Sequence, residues 1–178
     1  MRADAILFDK DGTLFDFAAT WETWAAAFLL RAAKGDAERA AVLGHAIGFD
    51  LPARRFQPDS IVIAGTPDEI ALLLSAHMPG WETPAIVDML NEEAARAPQA
   101  EAVPLVAFLD GLRQSGLKLG VATNDGEVPA NAHLEAAGIA LYWEDHGLTD
   151  AAAPDIALEP PVAQTLRALL RESVSNIL

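Results

Sequence analysis

The stretch that decides the fold is AILFDKDGTL at residues 5–14, a short apolar run followed by two acids and a glycine. We interpret residues 4–8 as a buried strand, which places Asp9 and Asp11 at its carboxyl end. Open α/β sheets bind their ligands at this end. Two clustered carboxylates serve either as a divalent-cation site or as a nucleophile with an acid/base partner. The sequence therefore predicts an α/β protein with an active site beside this strand.

Composition narrows the class of protein and of partner. The chain has 178 residues, enough for one domain or for a core domain with a small insertion. Its net charge of −14 argues against nucleic acids and anionic membranes as partners, because polyanions bind to Lys and Arg patches. There is no cysteine for a disulfide or a thiolate metal site. We expect a cytoplasmic protein, with no prediction of its oligomeric state.

Residues 15–97 have the periodicity of helices. Trp21, Trp24 and Phe28 recur at helical spacing on one apolar stripe, as expected for core residues. Further along, Thr66 and Glu69 have the spacing of a capping box, with proline at the first helical position between them. In the loop after a predicted helix at residues 37–47, the pair Arg54-Arg55 fits either a solvated loop or a site for a substrate carboxylate or phosphate.

A second strand is predicted at residues 117–122, and it ends at Thr123 and Asn124. A helix is predicted to start shortly afterwards, at about residue 129. A hydroxyl, an amide and the N–H groups of a helix N-terminus together form an anion-binding cradle. We expect this strand to lie parallel to residues 4–8, since right-handed crossovers would bring both strand ends to one edge of the sheet.

The string Asp9-x-Asp11-Gly12-Thr13 after an apolar strand resembles the first motif of the haloacid dehalogenase superfamily of phosphohydrolases. The longer run at residues 8–16 is similar to its phosphoglycolate phosphatase-like branch, and Thr123 resembles the superfamily's second motif. The resemblance implies a Rossmann-like parallel sheet core made of residues 1–14 and 98–178. It also implies a small, all-helical cap domain at residues 15–97.

The resemblance further implies a Mg²⁺-dependent phosphatase that acts on a small phosphorylated metabolite, similar to phosphoglycolate. Asp9 would be the nucleophile that forms an aspartyl-phosphate, and Asp11 the acid/base. Both residues would hold the Mg²⁺ ion. The implied phosphate-binding residues are Gly12, Thr13, Thr123 and Asn124. If the strand continues past Asp9, Lys10 lies on the opposite pleat from the two acids, and we expect its ammonium to reach elsewhere.

The later motifs of the superfamily do not match. Its third motif is a lysine, whereas this chain has no lysine after Lys118. The nearest match to its acidic fourth motif is residues 171–176, but residues 162–170 are better interpreted as an amphipathic helix. We therefore expect weak catalysis, unless Arg167 or Arg171 supplies the cation. The alternatives are a degenerate, non-catalytic binding or interaction module and, less favoured, a metal-dependent sugar-nucleotide enzyme.

Overall fold

The chain begins with the strand predicted from its apolar run. The structure, a computed structural model, describes residues 4–143, in which β1 is Ala5–Asp9. A tight turn follows β1, and Gly12 adopts a left-handed φ of +79°, a conformation that glycine takes without strain. The carbonyl of Lys10 accepts hydrogen bonds from the N–H groups of Leu14 and Phe15 at 2.9 and 3.1 Å. Because β1 ends at Asp9, strand alternation does not extend to Lys10 and Asp11.

We call residues 15–97 the helical insert. Its elements are α1 (Phe17–Ala32), α2 (Ala37–Ala46), β2 (Phe49–Asp50), β3 (Arg55–Phe56), α3 (Pro67–Ser75) and α4 (Thr83–Ala94). β2 and β3 pair antiparallel, so the prediction that this segment is entirely helical was wrong. The ring centroids of Phe49 and Phe56 lie 4.8 Å apart across the ribbon. Aromatic cross-strand pairs of this kind stabilise short ribbons whose strands are too brief to show a period in sequence.

The insert has its own apolar core, and α1 supplies its centre. The side chains of Trp21, Trp24 and Phe28 are all buried there, as their spacing predicted. The indole N–H of Trp24 donates a hydrogen bond to the carbonyl of Leu90 at 3.1 Å, which ties α1 to α4. α3 opens with the predicted capping box, in which Thr66 and Glu69 are both hydrogen-bonded as expected.

The chain then returns to β1. The elements after the insert are α5 (Leu105–Gln114), β4 (Lys118–Ala122) and α6 (Glu127–Ala136). β4 pairs with β1 in parallel, in a register that runs from Ala5 opposite Lys118 to Asp9 opposite Ala122. The α/β class and the parallel pairing of the two strands are therefore confirmed. Both strands end at the same edge of the sheet.

A second apolar cluster packs around these strands and helices. Its buried members are Leu14, Phe15, Leu105, Leu109, Leu134 and Ile139, and none belongs to the core of the insert. The strand β1 is less buried than predicted, since the side chain of Leu7 is 49% exposed. Phe15, the first residue of the helical insert, belongs to this second cluster, and the division into a core domain and a cap domain stays a prediction.

Several predictions concern residues outside the described range. They are the helix at 162–170, the candidate fourth motif at 171–176, and the roles of Arg167 and Arg171. Within residues 4–143, no helix is both long enough and apolar enough to cross a membrane.

Candidate active site

A cavity of about 1120 Å³ opens at the carboxyl edge of β1 and β4, between this edge and the helical insert. Asp9, Asp11 and Gly12 line it after the first strand, and Asn124 lines it after the second. Four of the six predicted site residues therefore face one space, although they come from distant parts of the sequence. The parallel pairing of the two strands is the reason, because it brings both strand ends to the same edge.

The other two predicted residues lie beside this cavity rather than on its wall. Thr123 accepts a hydrogen bond through Oγ1 from the N–H of Asp125 at 3.2 Å, so its hydroxyl shapes the turn after β4. Thr13 is exposed in the turn after β1. The amide of Gly12 already donates to the carbonyl of Phe15 at 2.7 Å, which leaves it less suited to bind phosphate than predicted.

Asn124 joins the strand end to the insert. Its Nδ2 donates a hydrogen bond to the carbonyl of Gly65 at 2.9 Å. The next residue but one, Gly126, lies so close to α4 that a Cβ at this position would come within 2.6 Å of Oδ1 of Asn91. These two contacts place the start of α6 against the insert at the cavity wall.

Lys10 does not point away from the acids, contrary to the pleat argument. Its side chain is fully buried, and Nζ lies 2.8 Å from Oδ1 of Asp11 and 2.9 Å from Oδ2 of Asp125. Since β1 ends at Asp9, the Lys10 side chain is free to turn back beside its neighbour. Burial lowers the pKa of Lys10, but the charges of Asp125 and Asp11 outweigh this effect and raise the pKa above its ordinary value.

His133, which was not predicted as a site residue, is the third partner of Lys10. Its ring is buried, and Nδ1 lies 3.1 Å from Nζ of Lys10 while Nε2 lies 2.7 Å from the carbonyl of Ala94. Nδ1 therefore accepts from the ammonium, and the Nε2 N–H donates to the carbonyl. Burial, and then the charge of Lys10, hold the pKa of His133 below its ordinary value, so the ring is neutral.

Asp125 was not predicted as a site residue. Its carboxylate is almost fully buried, and Oδ2 has no hydrogen bond of good geometry in addition to its ion pair with Lys10. Burial first, and then the charge of Asp11, raise the pKa of Asp125 well above its ordinary value. The signal in sequence would have been an acid three residues after a strand, in the turn that leads to a helix, because a carboxylate buried there needs a cation.

The pKa of the candidate nucleophile, Asp9, is also raised. Burial of its carboxyl, and then the charge of Asp11, raise the pKa of Asp9 to about 6, while Lys10 acts in the opposite direction. Perturbed carboxyl groups in a cavity are typical of active sites. Among the described residues, three carboxylates, Asp9, Asp11 and Asp125, thus share one ammonium, that of Lys10. A second cation would be stabilised here.

The oxygen atoms at this site fit the usual coordination of Mg²⁺ in proteins. Mg²⁺ takes oxygen ligands, commonly one or two carboxylates together with waters and substrate phosphate oxygens. Asp9 and Asp11 supply such oxygens on the cavity wall. Within residues 4–143 there is no group of three or more Asp, Glu, His or Cys side chains arranged to hold a metal. The described residues therefore fit a water-rich Mg²⁺ site rather than a complete protein cage.

The fold and the cavity define a class: an α/β protein with clustered acids at the carboxyl edge of a parallel strand pair. A sequence model of the haloacid dehalogenase-like hydrolases matches residues 3–172. The chain therefore belongs to the haloacid dehalogenase-like hydrolase family, and the predicted resemblance is confirmed at that level. No curated protein matches the chain in sequence.

Proposed function

We propose that this hydrolase is a Mg²⁺-dependent phosphatase that cleaves phosphomonoesters through an aspartyl-phosphate intermediate. The observation that carries the proposal is the meeting of Asp9, Asp11 and the start of α6 at one cavity. Phosphoryl transfer to a carboxylate requires three parts: a nucleophile, an acid/base group and an anion-binding site such as a helix N-terminus.

Asp9 is the proposed nucleophile. A carboxylate oxygen of Asp9 attacks phosphorus, the bond from phosphorus to the ester oxygen breaks, and the alcohol leaves. Water then attacks the phosphorus of the aspartyl-phosphate, which releases inorganic phosphate and restores the carboxylate. Because the pKa of Asp9 is about 6 even without a metal ion, most of this group is already ionised at neutral pH.

Asp11 is the proposed proton donor to the leaving oxygen and the proton acceptor from the attacking water. Its Oδ1 is held by Lys10 at 2.8 Å, so Oδ2 is the oxygen for proton transfer. Among residues 4–143, Lys10 also supplies the positive charge nearest to the acids. In the sequence analysis, only Arg167 and Arg171 were considered as the source of this charge. We propose Lys10 as a positioning residue that fixes Asp11 and limits repulsion between the carboxylates.

The phosphate group is proposed to bind where α6 begins. The N-terminus of α6 has no side-chain cap, so its first N–H groups are available to an anion. Asn124 lines the cavity beside this terminus. The N–H of Thr13 completes the proposed set, while Thr123 acts through the turn that it stabilises.

Asp9, through its side chain, and Asp11, through its backbone carbonyl, are the proposed Mg²⁺ ligands. When bound, Mg²⁺ neutralises charge on the acids and on the phosphate and so favours attack at phosphorus. The helical insert is the proposed cap domain, since it forms the far wall of the cavity and can select the organic part of the substrate.

The test is hydrolysis of a panel of phosphomonoesters with Mg²⁺ or with chelator, comparing the parent with Asp9→Asn. The expected result is phosphate release that requires Mg²⁺ and falls by at least about a thousandfold in the variant, the magnitude typical of a lost nucleophile. Trapping of the phosphorylated parent with a radiolabelled substrate checks the intermediate. If Mg²⁺ binds but no phosphomonoester is hydrolysed, the chain is a non-catalytic binding protein instead.

A further inference from the structure

Part of the cavity wall is apolar. It is formed from the insert by Phe17, Trp21, Phe56, Val62, Ile63 and Ile70. Phe17 and Phe56 pack edge to face with ring centroids 5.9 Å apart. The ribbon of β2 and β3 is what brings Phe56 to this wall, because α1 alone does not enclose the space.

The cavity is also large for a phosphorylated two-carbon acid such as phosphoglycolate. Its volume of about 1120 Å³ exceeds the upper end of the range of roughly 300–1,000 Å³ that holds drug-sized ligands. A phosphoglycolate molecule would leave the apolar wall without a partner. A ring-bearing substrate would instead bury apolar surface against Phe17 and Phe56, which favours binding.

The charges of the residues that line the cavity also favour an uncharged organic group. Beyond the catalytic acids, Asp16, Glu22 and Glu101 also line the cavity, and Arg55 is the only Lys or Arg among its described lining residues. A second anionic group on the substrate would meet several carboxylates and one exposed guanidinium. An uncharged organic part meets no such repulsion.

We propose that the substrate is a phosphomonoester whose organic part is uncharged, mostly apolar and of ring size, seated against Phe17 and Phe56. This inference rests on the proposed phosphatase function and names the substrate class of the same site. The phosphoryl group lies at Asp9, and the ring extends toward the insert.

The first experiment compares kcat/KM for 1-naphthyl phosphate and for phosphoglycolate, with acetyl phosphate as a small, reactive reference. The expected result is a value at least tenfold higher for 1-naphthyl phosphate, mainly through a lower KM. Equal or better turnover of phosphoglycolate overturns the substrate class but leaves the phosphatase function standing. If none of the three compounds, acetyl phosphate included, is hydrolysed, the proposed function itself fails, and the substrate class with it.

The second experiment removes part of the wall. Phe56→Ala should raise KM for 1-naphthyl phosphate at least fivefold more than KM for phosphoglycolate. Leu72→Ala is the matched control, since Leu72 is 67% exposed on α3 and does not line the cavity. Equal KM changes for both substrates in Phe56→Ala would contradict the proposal.

A binding measurement separates recognition from turnover. 1-Naphthylmethylphosphonate and phosphonoacetate, two non-hydrolysable probes, are titrated calorimetrically into the parent protein in the presence of Mg²⁺. Tighter binding of the naphthyl compound, weakened at least fivefold by adding Phe56→Ala, supports the inference. Tighter binding of phosphonoacetate overturns it even if no hydrolysis is measurable.

Discussion

At the scale of single residues, Lys10 offsets the negative charge of the acids beside the cavity. It is fully buried, and its three N–H groups meet Asp11, Asp125 and His133 within 3.1 Å. A buried ammonium is stabilised only by partners of this quality, and the partners depend on it equally. Two carboxylates and a histidine tautomer are thus fixed by one side chain.

Replacement of Lys10 tests this balance. Lys10→Met should lower the free energy of unfolding by about 3–5 kcal/mol, because it leaves Asp11 and Asp125 buried without their cation. Urea unfolding measures the loss. Lys118→Met, at an exposed position on β4, is the control and should cost little. Adding Asp125→Asn to Lys10→Met should recover part of the loss, and no recovery would place the main partner elsewhere.

Asp9 should make the metal-free protein sensitive to pH. Its folded-state pKa of about 6 lies above its ordinary value of 3.8, so its stabilising contribution is present below that ordinary value and lost as pH rises through 6. In Asp9→Asn this loss cannot occur. The melting temperature of Asp9→Asn minus that of the parent, measured with chelator, should therefore increase from pH 5 to pH 8.

Subtracting the melting temperature of the parent removes a pH effect of opposite sign, which comes from His133. The pKa of His133 is lowered on folding, so its contribution is present above its ordinary pKa and lost as pH falls. Because His133 is present in both proteins, its contribution largely cancels in the difference. A difference that stays constant from pH 5 to pH 8 would contradict the raised pKa of Asp9.

Local signals predicted most of the individual elements. The helix α3 was predicted from Thr66 and Glu69, and α1 from the spacing of its aromatic residues, because capping and amphipathic periodicity are encoded within a few positions. The ribbon of β2 and β3 was missed, since two-residue strands carry no period and depend on the packing of Phe49 against Phe56. Elements with local causes were therefore predictable, and elements with tertiary causes were not.

The same distinction explains the site. Asp9, Asp11, Gly12 and Asn124 were predicted because each follows a strand with a recognisable pattern. The network of Lys10, Asp125 and His133 was not, because its members lie up to 123 positions apart and meet only in the fold. The direction of the Lys10 side chain was wrong for a related reason: strand alternation was applied beyond the end of β1.

The junction between α6 and α4 gives a prediction at the scale of elements. A Cβ at Gly126 would meet three side-chain atoms of Asn91 at 2.6–3.1 Å. Gly126→Ala should therefore displace the Asn91 side chain and destabilise the protein by about 1 kcal/mol or less, the low end of the cost of overpacking, because this side chain can rotate. The double variant with Asn91→Ala should recover most of this loss in urea unfolding. Additive costs in the double-mutant cycle would show that the two positions are not in contact.

At the scale of the whole molecule, the excess of negative charge is concentrated locally where Asp9, Asp11 and Asp125 lie near the buried ammonium of Lys10. The net charge is −14, and burial and the nearby charge of Asp11 raise the pKa values of both Asp9 and Asp125. A divalent cation bound at Asp9 and Asp11 would relieve this repulsion in the folded state alone, because the unfolded chain does not hold the acids together. Cation binding and folding stability are therefore coupled.

Millimolar Mg²⁺ should raise the melting temperature of the parent for this reason. At a concentration of one hundred times Kd, mass action adds about 2.7 kcal/mol to the free energy of unfolding. Asp9→Ala should abolish the rise, whereas Asp36→Ala, which removes an acid at the N-cap of α2 away from the cavity, should lower the melting temperature without changing its response to Mg²⁺. Differential scanning fluorimetry across a Mg²⁺ titration, with NaCl added to constant ionic strength, measures all three proteins. An equal rise in Asp9→Ala would mean that Mg²⁺ acts on the general negative charge or binds at another site. Asp9 and Asp11 would then not be its ligands.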